Sequence, residues 1–216
     1  MSLMLAPMLC SGGAYHLRCH FLRMGVVMQT ARQTVLTRDD YLTMEQASRQ
    51  RHEYVAGAVY AMAGGSQRHN RIALNLAARL LQRLSGRPCQ VYMSDVKLYV
   101  AAAEAYYYPD VMVVCGEAQA TAGTGLVVDA PVLVVEVLSE ATETIDRREK
   151  LAAYRRLPGL QEYALVSQDR LAVELYRREG DLGWLYVCYE PGDVVQFASV
   201  GVEVPLAELY AGTDVT

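Results

Sequence analysis

The sequence predicts an α/β fold, a mixed β-sheet flanked by helices. Three observations lead there. The segments 111–114 and 132–138 are nearly unbroken apolar runs, the pattern of strands covered on both faces. Residues 66–84 carry apolar side chains at a helical period. Helix-like and strand-like segments then succeed one another as helix, strands, helix, more strands, which is the order of a layered α/β domain.

Each element has a local cause. Thr37 is placed to cap a short helix over 37–42, with Asp39 and Asp40 in its first turn. Residues 51–62 carry Gly57 at their middle and read as a hairpin or bent strand pair. Gly64-Gly65-Ser66 breaks the chain, and Ser66 caps a helix with Ile72, Leu74, Leu76, Ala77, Leu80, Leu81 and Leu84 on its apolar side. Ser85-Gly86-Arg87-Pro88 ends it. Strands are expected near 90–100, 107–114 and 131–138, with a Gly-, Ala- and Thr-rich loop at 116–126. A second helix covers 142–157 and stops before Pro158. Strands follow near 162–167 and 171–177. A last pair, 184–189 and 194–197, is joined by the turn Glu190-Pro191-Gly192-Asp193.

The 216 residues fit one domain of ordinary size, and 52% apolar content supplies a core. The net charge of −4 excludes a global basic field, so any contact with nucleic acid must come from a local patch. The chain has eighteen Arg but only two Lys, Lys97 and Lys150, and both fall beside acidic segments. Five scattered Cys without a CxxC pair read as free thiols of a reducing compartment. Residues 1–28 are Met-rich and irregular, and Arg18, His20 and Arg23 interrupt any signal-peptide pattern. They read as a disordered tail or a misassigned start, with 29–216 as the single domain. No stretch is long and apolar enough to span a membrane, and the expected location is the cytoplasm.

The chemistry is signalled by two acids inside the apolar runs, Asp110 and Glu136. A buried charge is costly unless it is paired or bound to a cation, and neither segment offers an adjacent base. Two carboxylates ~4 Å apart at an effective dielectric of ~20 repel by about 4 kcal/mol. A divalent metal relieves both costs. In the following helix, Asp146, Lys150 and Tyr154 recur every four residues and share one face. That face can lie beside the end of the Glu136 strand.

The stretches Arg51-His52-Glu53-Tyr54, Met62-Ala63-Gly64-Gly65-Ser66, His69-Asn70, Ser94-Asp95-Val96-Lys97, Tyr108-Pro109-Asp110, Glu136-Val137-Leu138-Ser139 and the segment 146–150 carry a resemblance. Over about residues 35–210 the chain resembles the "putative restriction endonuclease" family expanded in cyanobacteria, a branch of the PD-(D/E)xK nuclease superfamily. The resemblance implies a restriction-endonuclease-like core and a Mg²⁺-dependent (or Mn²⁺-dependent) phosphodiesterase acting on DNA, expected here as a homodimer. It implies Asp110 and Glu136 as catalytic metal ligands, with Glu53 as the upstream glutamate. One position departs from the pattern: Leu138 stands where the superfamily lysine is expected. Lys150 is the first candidate for the displaced group and Lys97 the second. Asp95 and His69 are supporting candidates.

Other readings of the same residues are simpler. Asp110 can cap a loop, and Glu136 can pair with an Arg. Asp146 and Lys150 have the spacing of a surface ion pair, worth a few tenths of a kcal/mol. His69 can serve packing at a helix start, or meet a phosphate there. Asp95 and Lys97, two apart on an expected strand, would face the same way. Arg147, Arg148, Arg155 and Arg156 form a basic helix surface, either a phosphate track or a solvated face. The alternative to an endonuclease is a catalytically weak or inactive module of the same fold that binds nucleic acid or a protein partner. A Ser139–Lys150 hydrolase is a weaker third reading, because Ser139 lacks a strained Gly-flanked turn and suits a helix cap.

Overall fold

The computed structural model describes residues 35–116 and 127–216. The tail 1–28 and nearly all of the loop 116–126 lie outside the described residues. Helix α1 (Arg38–Ala47) starts where expected: Thr37 Oγ1 accepts the Asp40 N–H, and the Asp40 carboxylate accepts the Thr37 N–H. It buries Tyr41 against Tyr54, ring centroids 5.1 Å apart. Strands β1 (His52–Val55) and β2 (Ala58–Ala61) form the expected hairpin, turned by Ala56 and Gly57, both at positive φ. Helix α2 (Gln67–Arg83) is capped by Ser66, whose Oγ accepts the His69 N–H.

The α2 core face is Ile72, Ala73, Leu76, Ala77 and Leu80. Leu74 and Leu81, also expected there, are exposed. At 100° per residue, Leu74 lies about 200° round the helix from Ile72, which corrects the wider stripe.

The expected strand 90–100 is two strands. Strand β3 (Cys89–Met93) ends at Ser94, which has φ 30° and donates its N–H to the Pro109 carbonyl. Strand β4 (Lys97–Val100) then joins a different sheet. Asp95 lies in the intervening turn, so it does not share a strand and a face with Lys97 as expected. Strands β5 (Ala105–Tyr107), β6 (Val111–Cys115), β7 (Val127–Val128) and β8 (Leu133–Leu138) follow. Helix α3 runs from Glu143 to Tyr154 and contains one π-helical stretch, Asp146–Lys150. Next come β9 (Glu162–Ser167), β10 (Val173–Arg178), β11 (Trp184–Tyr189), β12 (Val194–Phe197), β13 (Val202–Pro205) and the short α4 (Leu206–Leu209).

The strands form a five-stranded sheet β2-β1-β5-β4-β7, a six-stranded sheet β11-β10-β9-β8-β6-β3 and the ribbon β12-β13. Strands β8 and β9 are parallel, and β6 runs antiparallel to β8, so the larger sheet is mixed as predicted. The β11–β12 hairpin expected from the sequence is not formed. The Glu190–Asp193 turn is present, but β11 pairs with β10 and β12 pairs with β13. Strand β13 was not anticipated; its Val202 and Val204 alternate inward after Gly201 reverses the chain at positive φ.

Strands β6 and β8 are buried throughout, apart from half-buried Cys115, and their side chains feed two cores. Val111, Val113, Val135 and Val137 meet α2 residues Ile72, Leu76 and Leu80, together with Phe197 of β12. Met112, Val114, Val134 and Leu138 meet Leu98, Tyr107 and the α3 residues Ala153 and Tyr154. The larger sheet is therefore covered by helix on one face, and by helix and second sheet on the other. The expectation of free thiols is corrected at Cys89 and Cys115. These residues lie directly opposite on β3 and β6 and are joined by a disulfide. Cys188 is an exposed free thiol. No helix among the described residues is long and apolar enough to cross a membrane.

Candidate active site

The register of β6 with β8 pairs Val111 with Val135 and Met112 with Val134. One step on, Asp110 stands opposite Glu136, so both carboxylates leave the same face at one end of the sheet. The backbone ties them together: Asp110 Oδ2 accepts the Val137 N–H at 2.7 Å, and the Asp110 N–H points at Glu136 Oε2 at 3.4 Å. Pro109 leaves no N–H of its own to satisfy, and its carbonyl accepts from Ser94. His69, in the first turn of α2, places Nε2 3.2 Å from Asp110 Oδ2. A Cβ at Gly65 would lie 2.9 Å from His69 Nδ1, so glycine lets the loop close over the ring.

Helix α3 delivers the cation. Lys150 is buried, and its Nζ lies 3.1 Å from Glu136 Oε1, 3.1 Å from Glu53 Oε1 and 3.2 Å from Asp146 Oδ1. The π-helical stretch carries both Asp146 and Lys150 inward, so the surface ion pair allowed by their spacing is in fact a buried one. Tyr154, one turn on, donates its hydroxyl to Glu136 Oε1 at 2.9 Å. Glu53 enters from β1 and also accepts the Tyr108 N–H at 3.3 Å. The structure thus brings Asp110, Glu136, Lys150, Glu53 and His69 together. Sequence reasoning placed Asp146 and Tyr154 on the right helix face without assigning them to the site.

Other candidates lie apart. Asp95 is exposed and pairs with Arg51. Lys97 is buried beside the Tyr108 ring, Nζ 5.5 Å from its centroid. Of the basic helix surface, Arg147 is held by Glu143 and Glu174, Arg155 lies over Tyr176 and Trp184, and Arg156 donates to the Ala102 carbonyl. Only Arg148 is exposed without a described partner. Ser139 Oγ accepts the Thr142 N–H and so serves as a cap rather than as a nucleophile beside Lys150.

The electrostatics follow from burial and from an excess of acids. Burial, with Asp146, Asp110 and Glu53 nearby, pushes Glu136 well above the usual carboxylate range despite Lys150. Burial alone would lower the Lys150 pKa, but Glu136, Glu53 and Asp146 outweigh it and keep the ammonium charged. Burial also works against the His69 imidazolium. Its hydrogen bond to Asp110 and the Val137 carbonyl more than compensate, and its pKa rises.

The residues suit a hard divalent cation. Glu53, Asp110, Glu136 and Asp146 face Lys150 and His69, a surplus of negative charge in a buried space. Asp146 Oδ1 is buried with no aligned hydrogen-bond donor among the described residues. All these donors are oxygens, as Mg²⁺ prefers. Among the described residues, no trio of His, Cys, Asp or Glu is preassembled at ligand spacing, and Glu136 Oε1 is turned onto Lys150 and Tyr154.

A mixed sheet with flanking helices, two acids at the end of adjacent strands and a lysine from the next helix define a restriction-endonuclease-like protein. The chain belongs to the Uma2 family, described as "putative restriction endonuclease", whose pattern it matches over residues 38–207. It is 36% identical over 159 residues to the uncharacterized protein sll1609 of Synechocystis, covering 74% of this chain and 90% of that one. It is 35% identical over 177 residues to slr1290 of the same organism, covering 82% and 92%. Its fold is shared with the crystal structure of a "putative nuclease belonging to DUF820" from Anabaena variabilis, with a TM-score of 0.68, 16% identity and coverage of 82% and 98%.

Proposed function

We propose that the protein is a metal-dependent endonuclease that hydrolyses phosphodiester bonds of DNA with Mg²⁺ or Mn²⁺, working as a homodimer that addresses both strands. The observation that carries this reading is the position of Lys150, an ammonium among Glu53, Glu136 and Asp146 at the end where Asp110 faces Glu136. Asp110 and Glu136 would hold the ion, with the Val137 carbonyl beside them. Bound there, the ion would lower the pKa of a water and stabilise charge on the phosphate oxygens.

The protein's own groups divide the remaining work. The acids around Lys150 favour its charged form, and as an ammonium it would orient the attacking water and stabilise developing negative charge. Glu53 and Asp146 fix the ammonium in place. Tyr154 orients the Glu136 carboxylate, and His69 does the same for Asp110. Leu138 faces the same side of β8 as Glu136 but packs in the core with Tyr154, and α3 supplies the amine instead.

One observation favours the alternative, an inactive module that binds nucleic acid or a protein partner: no ligand trio is preassembled among the described residues. Calorimetric titration with Mg²⁺ and with Mn²⁺ separates the two. The endonuclease reading expects a binding heat that is lost in Glu136→Gln. Equal heats, or none in the wild type, would support the module.

A further inference from the structure

Lys97 is the buried cation that the proposed chemistry leaves unused. It is 92% buried, from a relative exposure of 8%. Among the described residues no carboxylate comes within the 4.0 Å of an ion pair. Its stem is buried, while Nζ, which makes no described hydrogen bond, is not fully enclosed and can meet an anion from solvent. Its described neighbour is the face of Tyr108, 5.5 Å from Nζ to the ring centroid.

Tyr108 carries a second cation. The Arg51 guanidinium lies 5.9 Å from the same ring centroid and is held by exposed Asp95 and the Ser94 carbonyl. The ring is itself fixed, because its hydroxyl donates to Glu45 Oε1 at 2.7 Å and its N–H donates to Glu53. Register places it: Leu98 pairs with Tyr107, so Lys97 stands opposite Tyr108 on adjacent strands. Tyr108 precedes Asp110 by two residues, so the two lie within about 7 Å along the chain. That is close to the spacing of neighbouring phosphates along one strand. The acids near this point are Glu53, already on Lys150 and the Tyr108 N–H, Glu45, on Tyr108 and His52, and Asp95, on Arg51. None of these contacts reaches Lys97.

We propose that Lys97 and Arg51, around the Tyr108 ring, form a subsite for the DNA backbone phosphate next to the one that is cleaved. The proposal rests on the endonuclease reading and assigns Lys97 to substrate binding rather than to the displaced catalytic position. A phosphate would place an anion beside the Lys97 ammonium, which has no carboxylate partner among the described residues. It carries no base identity, so the contact strengthens binding equally for all sequences.

The test is steady-state cleavage of a short DNA duplex with Mg²⁺ over a range of salt, for wild type, Lys97→Gln and Lys97→Arg. Lys97→Gln is expected to raise KM about tenfold with a smaller change in kcat. It should also flatten the dependence of log affinity on log salt by about one phosphate contact. Lys97→Arg should restore the salt slope, and it answers the question if the Gln variant does not fold. An unchanged KM and salt slope in Lys97→Gln overturns the subsite. A loss confined to kcat also overturns it and places Lys97 in the chemistry. A wild type that cleaves no DNA removes the endonuclease reading and the subsite with it, whereas an active wild type with unaffected variants removes the subsite alone.

Discussion

Lys150 and Glu136 are fourteen residues apart in sequence, yet Nζ and Oε1 lie 3.1 Å apart. The strand carrying Glu136 offers Leu138 where an amine would share its face. The amine comes instead from the following helix, at a π-helical stretch of the kind that often marks functional sites. A guanidinium would be a poor replacement in this space, since its charge is spread over a planar fork.

The pH dependence of the metal-free protein should carry the signature of Glu136. Its pKa in the folded chain is raised by burial and neighbouring acids above the ordinary value of 4.5. The folded state therefore binds more protons than the unfolded one, and stability falls as pH rises from that value through the raised one. Urea titrations at several pH values should show this fall in the wild type and a flatter profile in Glu136→Gln. Identical profiles would contradict the electrostatic description.

Surplus acid should also cost stability. Asp146→Asn removes one negative charge from a buried cluster rich in carboxylates. Without metal, it is expected to stabilise the fold by about 1 kcal/mol, the usual scale of relieving strain at a functional site. The same variant should cleave DNA poorly, because Lys150 loses one of its anchors. A large destabilisation would mean that Asp146 is needed mainly to neutralise Lys150.

Glu174 has the opposite sign. The Arg147 guanidinium holds its carboxyl below the usual carboxylate range, with burial acting against it. Its contribution is fully present above the unfolded value and is lost as pH falls through the folded one. Glu174→Gln should cost about 1–2 kcal/mol at pH 7. The difference from wild type should close as the solution is acidified. A constant difference would indicate a packing effect.

Cys89 and Cys115 should be found linked. Peptide mapping of the chain unfolded without reductant is expected to recover 89 joined to 115, and thiol titration should count fewer than the five cysteines. A full count of five would restore the free-thiol reading.

Much of the candidate site was legible because burial and charge conflict locally. An acid in an unbroken apolar run, as at Glu136, signals a partner that must come from elsewhere. The four-residue recurrence of Asp146, Lys150 and Tyr154 located the helix face that supplies it. The same spacing also describes an exposed ion pair, and only the packing of α3 on the sheet decides between them. Non-local pairing was the less legible part. The β12 strand and its turn were visible, but its ladder partner β13 lies beyond a second reversal at Gly201. The break at Ser94 depends on backbone geometry that Pro109 and Asp110 stabilise from another strand, so Asp95 and Lys97 looked like one strand's neighbours.

The most direct test of the site is the metal-dependent cleavage of DNA by Lys150→Met beside the wild type, with Mg²⁺ binding followed by calorimetry on both. The account predicts that the wild type cleaves only when Mg²⁺ or Mn²⁺ is supplied, and that Lys150→Met binds the ion but leaves the DNA intact. Cleavage by Lys150→Met at the wild-type rate would contradict it.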